Sequence, residues 1–145
     1  MVATIGFGRK SLRRFVELLT AAEVETVVDV RRRPDSPFAG YARQRDLPFA
    51  LERIARIGYE HDLALAPPAE SLDRYRKDGD WTAYVHDFES ILASAEGIAA
   101  MRRLLAHPDR VALVCAEPTA ERCHRRLVAE RMRTMRPELR ITHLV

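Results

Sequence analysis

Two cysteines and their neighbours are the residues of this chain best suited to do chemistry. Cys115 ends an apolar run and Glu117 follows it closely, while Cys123 stands directly before His124. A thiolate is a strong nucleophile, and a helix N-terminus or a neighbouring imidazolium stabilises it. A carboxylate or imidazole nearby can transfer protons. The predicted catalytic residues are Cys115, Glu117, Cys123 and His124.

The same residues are also compatible with other interpretations. Cys115 ends a Val-Ala-Leu-Val run, so it could be a small buried hydrophobe, and the same holds for Cys123. Glu117 could be a general base or the ion-pair partner of Arg125. Together, Cys115, Cys123 and His124 could ligate Zn²⁺, but their spacing matches no standard knuckle and provides no fourth ligand. We therefore predict no metal and no cofactor.

The segment after Cys115 invites comparison with the phosphatase and rhodanese cradle, in which a loop from Cys to Arg wraps an anion with its backbone amides. Arg122 lies seven positions after Cys115, one more than that cradle uses, and no glycine follows Gly97. A tight nest of amides around the thiolate is therefore disfavoured.

Arginine dominates the basic residues, since 22 of the 24 are Arg and only Lys10 and Lys77 are Lys. A GC-rich genome could produce this bias alone, but guanidinium groups also bind phosphate and carboxylate bidentately. A net charge of only +3 excludes a domain that coats nucleic acid through bulk electrostatics. The predicted anion-binding residues lie at strand ends, on the loops that follow or at the start of the next helix, and they are Gly6, Arg9, Asp29, Arg31, Tyr41, Arg122 and Arg125.

Structural roles are open for two of these positions. Asp29 interrupts an apolar strand, where a carboxylate has to be paired or hydrogen-bonded. It could accept from nearby amides, pair with an Arg, or orient a substrate hydroxyl. Phe38 and Tyr41 lie on a long loop rich in Pro and Gly, and they could stack on a base or pack the loop onto the core.

The elements that must position these residues alternate between strand and helix. The predicted strands are Val2–Gly6, Thr26–Val30, Tyr59–Leu63, Arg110–Cys115 and Leu139–Leu144. The predicted helices are Leu12–Ala22, Leu47–Ile57, Ser71–Lys77, Trp81–Leu92, Ile98–Leu105 and Thr119–Met135. Ser11 and Asp46 are the expected N-caps, and Gly58 is the expected left-handed residue after the second helix.

This alternation predicts a three-layer α/β fold with a mostly parallel sheet flanked by helices, Rossmann-like in architecture. A chain of 145 residues is long enough to bury one core, so we predict a single domain over 1–145. In such sheets ligands bind beyond the carboxyl ends of the strands. The thiols, carboxylates and guanidinium groups are therefore predicted to meet along one edge.

Several protein classes are disfavoured by the composition. The N-terminus has no apolar signal region, and no apolar run approaches the roughly 20 residues that a membrane helix needs. Two cysteines are too few for a disulfide framework. We expect a cytoplasmic protein without membrane association, whose partner is an anionic small molecule or a nucleic acid.

Five segments carry a resemblance to a known family. They are Thr4-Ile5-Gly6, Val28-Asp29-Val30-Arg31, the loop from Ser36 to Tyr41, Cys115-Ala116-Glu117 and Cys123-His124-Arg125. With them the chain resembles the DUF488 family, prokaryotic proteins of unassigned function. Many members have His-Ser where this chain has Phe7-Gly8. The resemblance implies an α/β fold and a site at the strand ends, and it implies no particular reaction.

The leading hypothesis is a cytosolic enzyme that acts on a nucleotide or nucleic-acid substrate at the carboxyl edge of the sheet. Arg31 and Arg125 would hold the anion. One alternative is a non-catalytic module that binds a nucleotide, a nucleic acid or a protein carboxylate in the same pocket. The other is a thiol redox sensor, in which Cys115 and Cys123 would form a disulfide.

Overall fold

The computed structural model describes all 145 residues. Its strands are β1 (Val2–Gly6), β2 (Thr26–Asp29), β3 (Gly58–His61), β4 (Val111–Cys115) and β5 (Ile141–Leu144). Its α-helices are α1 (Leu12–Ala21), α2 (Leu47–Ala55), α3 (Ala69–Asp78), α4 (Trp81–Leu92), α5 (Ala95–Leu105) and α6 (His124–Met135). Two short 3₁₀ segments cover Pro37–Ala42 and Leu63–Leu65.

All five strands run parallel, in the order β3-β2-β4-β1-β5. Strand β4 therefore lies between β1 and β2, although it comes much later in the chain. Its register places Cys115 beside Gly6 of β1 and Val114 beside Asp29 of β2. The carboxyl ends of three strands that are distant in sequence thus lie side by side.

Two apolar clusters cover the two faces of the sheet, because successive strand residues point to opposite sides. One cluster joins the strands to helices α4, α5 and α6 through residues such as Phe88, Leu92, Met101, Val128 and Met132. The other joins them to α1 and α2 through Phe15, Leu19, Leu47 and Leu51. The predicted three-layer α/β architecture is confirmed.

Two predicted boundaries are wrong for reasons that bear on the site. The last helix begins at His124 instead of Thr119, with Cys123 as its N-cap residue. The segment before it is irregular, and the carbonyl oxygens of Ala116, Glu117 and Pro118 accept hydrogen bonds from Gly8, Arg125 and Lys10, respectively.

The second correction concerns Gly58, which is not the left-handed residue after α2. Arg56 has that conformation, with φ 55°, while Gly58 begins β3 and donates to the carbonyl of Glu25 at 2.8 Å. The chain must reverse earlier because Ile57 is already buried in the core. Asp46 precedes α2 as predicted, but its side chain makes no capping hydrogen bond.

Candidate functional site

A cavity of about 360 Å³ lies beyond the carboxyl ends of β2 and β4. Strands β2 and β4 are neighbours, but α2 leaves β2 toward one face of the sheet and α6 leaves β4 toward the other. Such divergence opens a crevice at the strand ends. Six of the predicted site residues line it: Arg31, Cys115, Glu117, Arg122, Cys123 and His124. Five do not: Gly6, Arg9, Asp29, Tyr41 and Arg125.

Cys115 and His124 form a close pair at the floor of this cavity. The Sγ atom of Cys115 lies 3.7 Å from Nδ1 of His124. The other ring nitrogen, Nε2, lies 2.7 Å from the carbonyl oxygen of Val30, which fixes the orientation of the ring. Because a carbonyl can only accept, Nε2 carries a proton and donates it there, which leaves Nδ1 facing the sulfur. The edge of the His124 ring also packs on Phe88.

The surroundings of Cys115 favour its thiolate. A hydrogen bond from the Cys123 thiol, followed by the charge and hydrogen bond of His124, lowers the pKa of Cys115 well below its ordinary value despite burial. Burial and the adjacent Cys115 raise the pKa of Cys123 well above its ordinary value. Burial works against a charged His124, but Cys115 outweighs it and raises the pKa of His124. These shifts favour the thiolate form of Cys115 and the protonated forms of His124 and Cys123.

The peptide that links Ala116 to Glu117 also acts on the sulfur. Its carbonyl accepts from the backbone N–H of Gly8 at 2.9 Å, and its N–H, which must point the opposite way in a trans peptide, donates to Cys115. A Cβ on Gly8 would stand 2.5 Å from the Ala116 carbonyl oxygen. Gly8 therefore permits a close approach of the two strand-end loops that a larger residue would prevent.

Arg125 binds the backbone of the segment that follows β4, on the side away from the cavity. It is completely buried, and Nη1 donates to the carbonyl oxygen of Glu117 at 2.8 Å. The two other guanidinium nitrogens have no hydrogen-bond partner. A Cβ on Gly6 would stand only 1.5 Å from that same carbonyl oxygen. Gly6 and Arg125, both predicted to bind an anion, are placed where they fix the Glu117 backbone, away from the cavity lining.

Asp29 forms a buried ion pair with Arg31. One carboxylate oxygen accepts from Nε of Arg31 at 2.9 Å, and the other accepts from Nη2 at 2.6 Å and from the Tyr59 hydroxyl at 2.6 Å. Nη2 also donates to the Ala42 carbonyl at 2.7 Å. The backbone N–H of Arg31 donates to Asp29 as well, at 3.0 Å, so the structure shows two of the roles considered from sequence, acceptance from a nearby amide and pairing with an Arg. Asp29 positions Arg31, whose guanidinium lies at the cavity 5.0 Å from the centre of the Phe7 ring.

The two remaining predicted anion ligands, Arg9 and Tyr41, lie away from the cavity. Arg9 is exposed in the turn after β1 and adopts φ 57°. The Tyr41 hydroxyl donates to the Lys10 carbonyl at 3.1 Å, and its ring packs on Phe15. Tyr41 therefore attaches the loop to the core. Phe38, on the same loop, is 95% exposed at the cavity and remains free to stack.

Sequence reasoning missed the wall of the cavity opposite the sheet. Helices α3 and α4 fold over the strand ends and contribute Tyr75, Arg76 and Tyr84. Arg76 and Arg122 are exposed and take part in no ion pair within the chain, unlike Arg33, which pairs bidentately with Asp73. No sequence signal separated Arg76 from the other helical arginines, because only the tertiary position of α3 brings it here.

Glu117 is the carboxyl group of the cavity. Burial, followed by the neighbouring Cys115, raises its pKa, while Arg125 and Arg76 oppose the shift. A carboxyl group whose pKa is raised toward neutrality is suited to exchange protons with a bound molecule. Among groups that could hold a metal ion, only Cys115, Cys123 and His124 cluster, with their ligand atoms all within 4.8 Å of one another.

Comparison with known proteins identifies one family. The family model described as domain of unknown function DUF488 matches residues 11–132. No curated protein and no solved structure matches the chain. Within the structure, none of the helices has the length and apolar character needed to span a membrane.

Proposed function

Because the chain belongs to DUF488, a family defined without an assigned reaction, we propose its function from the cavity: it is an enzyme that acts on a nucleotide or nucleic-acid substrate, with Cys115 as nucleophile. The observation that carries this proposal is the 3.7 Å pairing of Cys115 Sγ with His124 Nδ1 at the floor of an arginine-lined cavity. A nucleophilic thiol with an adjacent, oriented imidazole is the arrangement used in covalent catalysis.

The arginines of the cavity supply the binding half of the proposal. Arg76 and Arg122 have no acidic partner in the chain, so their charge is available for an anionic group. Nε and Nη2 of Arg31 are occupied by Asp29 and Ala42, and its charge still faces the cavity. The exposed Phe38 ring and the Tyr75 ring offer flat apolar surfaces for a base.

The chemical step that these groups support is group transfer to sulfur. The Cys115 thiolate forms a bond to an electrophilic atom next to the bound anionic group. The bond from that atom to its leaving group breaks, and the leaving group takes the electron pair. The proton that the leaving group needs comes from the His124 imidazolium or from the Glu117 carboxyl.

We expect Cys115 to react with iodoacetamide at neutral pH faster than an ordinary thiol, because its lowered pKa increases the fraction of thiolate. As the pH is lowered, the rate should fall at a lower pH than the rate of an ordinary thiol does. His124→Gln should slow modification of Cys115 at pH 7 by about tenfold and move the rise in rate toward the ordinary thiol pKa of about 8.5. Mass spectrometry of the modified peptides measures both rates.

The matched control for this experiment is His86→Gln, since His86 is an exposed histidine on α4 and lies outside the cavity. It should leave the modification rate unchanged. If Cys115 reacts no faster than a free thiol, or if His124→Gln does not alter the rate, the assignment of Cys115 as the nucleophile is contradicted.

Anion binding is expected to depend on the two arginines that lack partners. Arg76→Gln and Arg122→Gln should each weaken the binding of adenosine 5′-monophosphate by about tenfold, because each removes one charge-assisted contact. Each variant should also reduce the dependence of affinity on salt. Isothermal titration measures both effects, with Arg102→Gln on the far helix α5 as control. Affinities equal to that of the parent chain would place the anion elsewhere.

The structure also contains what each alternative function needs. The free arginines alone would serve a binding module, which would hold the nucleotide in a salt-dependent way without changing it. The sulfur atoms of Cys115 and Cys123 lie within 4.8 Å of each other, which would serve a redox sensor. A Cys115–Cys123 disulfide after mild oxidation, seen as a mass loss of two hydrogens, identifies the sensor.

A further inference from the structure

The cluster of Cys115, Cys123 and His124 at the cavity floor has the residue types and the interatomic distances of a metal site. We propose that Cys115, Cys123 and His124 bind one Zn²⁺ ion and that this ion reversibly blocks Cys115. Metal binding goes beyond the proposed function and is independent of it. Only the second part of the proposal, that zinc prevents the reaction of Cys115, depends on Cys115 being the nucleophile.

The distances are close to those that tetrahedral zinc requires. With Zn–S near 2.3 Å and Zn–N near 2.0–2.1 Å, tetrahedral ligands stand about 3.8 Å apart for two sulfurs and about 3.6 Å apart for sulfur and nitrogen. The sulfur of Cys115 and Nδ1 of His124 are 3.7 Å apart, and all three ligand atoms lie within 4.8 Å of one another. Side-chain movements of no more than about 1 Å complete the geometry.

The imidazole of His124 is already oriented as a ligand. Its Nε2–H donates to the Val30 carbonyl at 2.7 Å, so the lone pair of Nδ1 faces the Cys115 sulfur when the ring is neutral. A hydrogen bond from the distal ring nitrogen to a carbonyl is the usual support of a metal-bound histidine. Binding then releases the protons of Cys123 and His124 to solvent, and two thiolates balance the charge of the ion.

All three ligand residues line the cavity, and they leave one coordination position without a protein ligand. Three protein ligands with one open position is the arrangement of catalytic zinc sites, as opposed to closed four-ligand structural sites. The sequence spacing of Cys115, Cys123 and His124 does not match a zinc knuckle, but here the end of β4, the irregular segment before α6 and the start of that helix bring the ligands together. The cavity gives the ion a route from solvent.

Zinc binding and nucleophilic attack exclude each other because both use the same sulfur electrons. The metal-free chain carries a reactive thiolate, whereas the metal-bound chain holds that thiolate in a coordination bond. A bound zinc ion would therefore prevent Cys115 from reacting until a chelator removes the ion.

Titration of the reduced, chelator-treated full chain with Co²⁺ tests the site directly. We expect one Co²⁺ per chain, with a thiolate-to-cobalt charge-transfer band in the near ultraviolet and the strong visible bands of tetrahedral cobalt. Equimolar Zn²⁺ should displace the cobalt and slow iodoacetamide modification of Cys115 by at least about tenfold, and excess chelator should restore the rate.

Cys123→Ser tests the metal site by its affinity for cobalt. The variant removes one of the two sulfur ligands, so metal affinity should fall by at least about tenfold. His86→Gln should leave cobalt binding intact, and thermal unfolding checks that the variants are folded. Absence of the charge-transfer band, or cobalt binding that survives Cys123→Ser, overturns the metal site. If cobalt binds but Cys115 of the metal-free chain reacts as an ordinary thiol, the metal site is supported and the assignment of Cys115 as nucleophile is contradicted.

Discussion

Asp29→Asn is expected to lower the free energy of unfolding by about 3–5 kcal/mol, because it leaves the Arg31 guanidinium charged and buried without a counter-charge. Asp29 is fully buried and accepts two side-chain bonds from Arg31 and one from Tyr59. An amide can accept at one of these positions only, and its NH₂ group would face donors at the other. Urea denaturation of parent and variant measures the loss.

A matched control exists in the same chain. Arg33 and Asp73 form a second bidentate pair, at 2.8 and 3.0 Å, but both side chains are about half exposed. Asp73→Asn should therefore cost about 0–1 kcal/mol. Equal losses for the two variants would show that burial is not what makes the Asp29 pair important. The comparison matters for function because Asp29 holds Arg31 at the cavity.

Gly6→Ala is expected to destabilise the chain by about 1–3 kcal/mol or more and to reduce thiol reactivity at the same time. The new Cβ would stand 1.5 Å from the carbonyl oxygen of Glu117, a backbone atom that cannot rotate away. The loop must then move, and with it the peptide N–H that stabilises the Cys115 thiolate. Slower modification of Cys115 at pH 7, by about tenfold, is the functional readout.

Gly58→Ala is the control for steric effects alone. Its Cβ would approach the Thr26 hydroxyl to 3.0 Å at the start of β3. This position lies at the amino ends of the strands, whereas the cavity lies beyond their carboxyl ends. The substitution should cost less than Gly6→Ala and leave the Cys115 rate unchanged. A Gly6→Ala protein with the parent's stability and Cys115 reactivity would contradict the close packing of the two loops.

The pattern of apolar residues was sufficient to predict the layers. Runs such as Val111–Val114 are buried on both sides, and the helical stripes of α4 and α5 face them, so periodicity alone places them correctly. Periodicity did not predict the element boundaries correctly where backbone groups form hydrogen bonds to residues far away in the sequence. The carbonyls of the segment before α6 bond to Gly8, Lys10 and Arg125, and no local sequence pattern predicts such contacts.

The candidate site shows the same division. Cys115, His124 and Arg31 were predicted at one edge because strand ends of a parallel sheet converge there. Arg125 was predicted beside them, yet its position in α6 turns it beneath the loop, where it bonds the Glu117 carbonyl. Arg76 was overlooked because an exposed arginine on a helix resembles any other until the neighbouring layers are in place.

By itself, then, the sequence determined the alternation of strands and helices, the buried faces and the chemical types at the strand ends, since each depends on residues close together in the chain. The tertiary structure decided which of those groups meet. The 3.7 Å approach of Cys115 to His124, the hydrogen bond from the Tyr59 hydroxyl to Asp29 and the closure of the cavity by α3 and α4 each depend on strand pairing or on packing between layers. Side chains from distant parts of the chain acquire a shared chemistry only when the sheet sets their register.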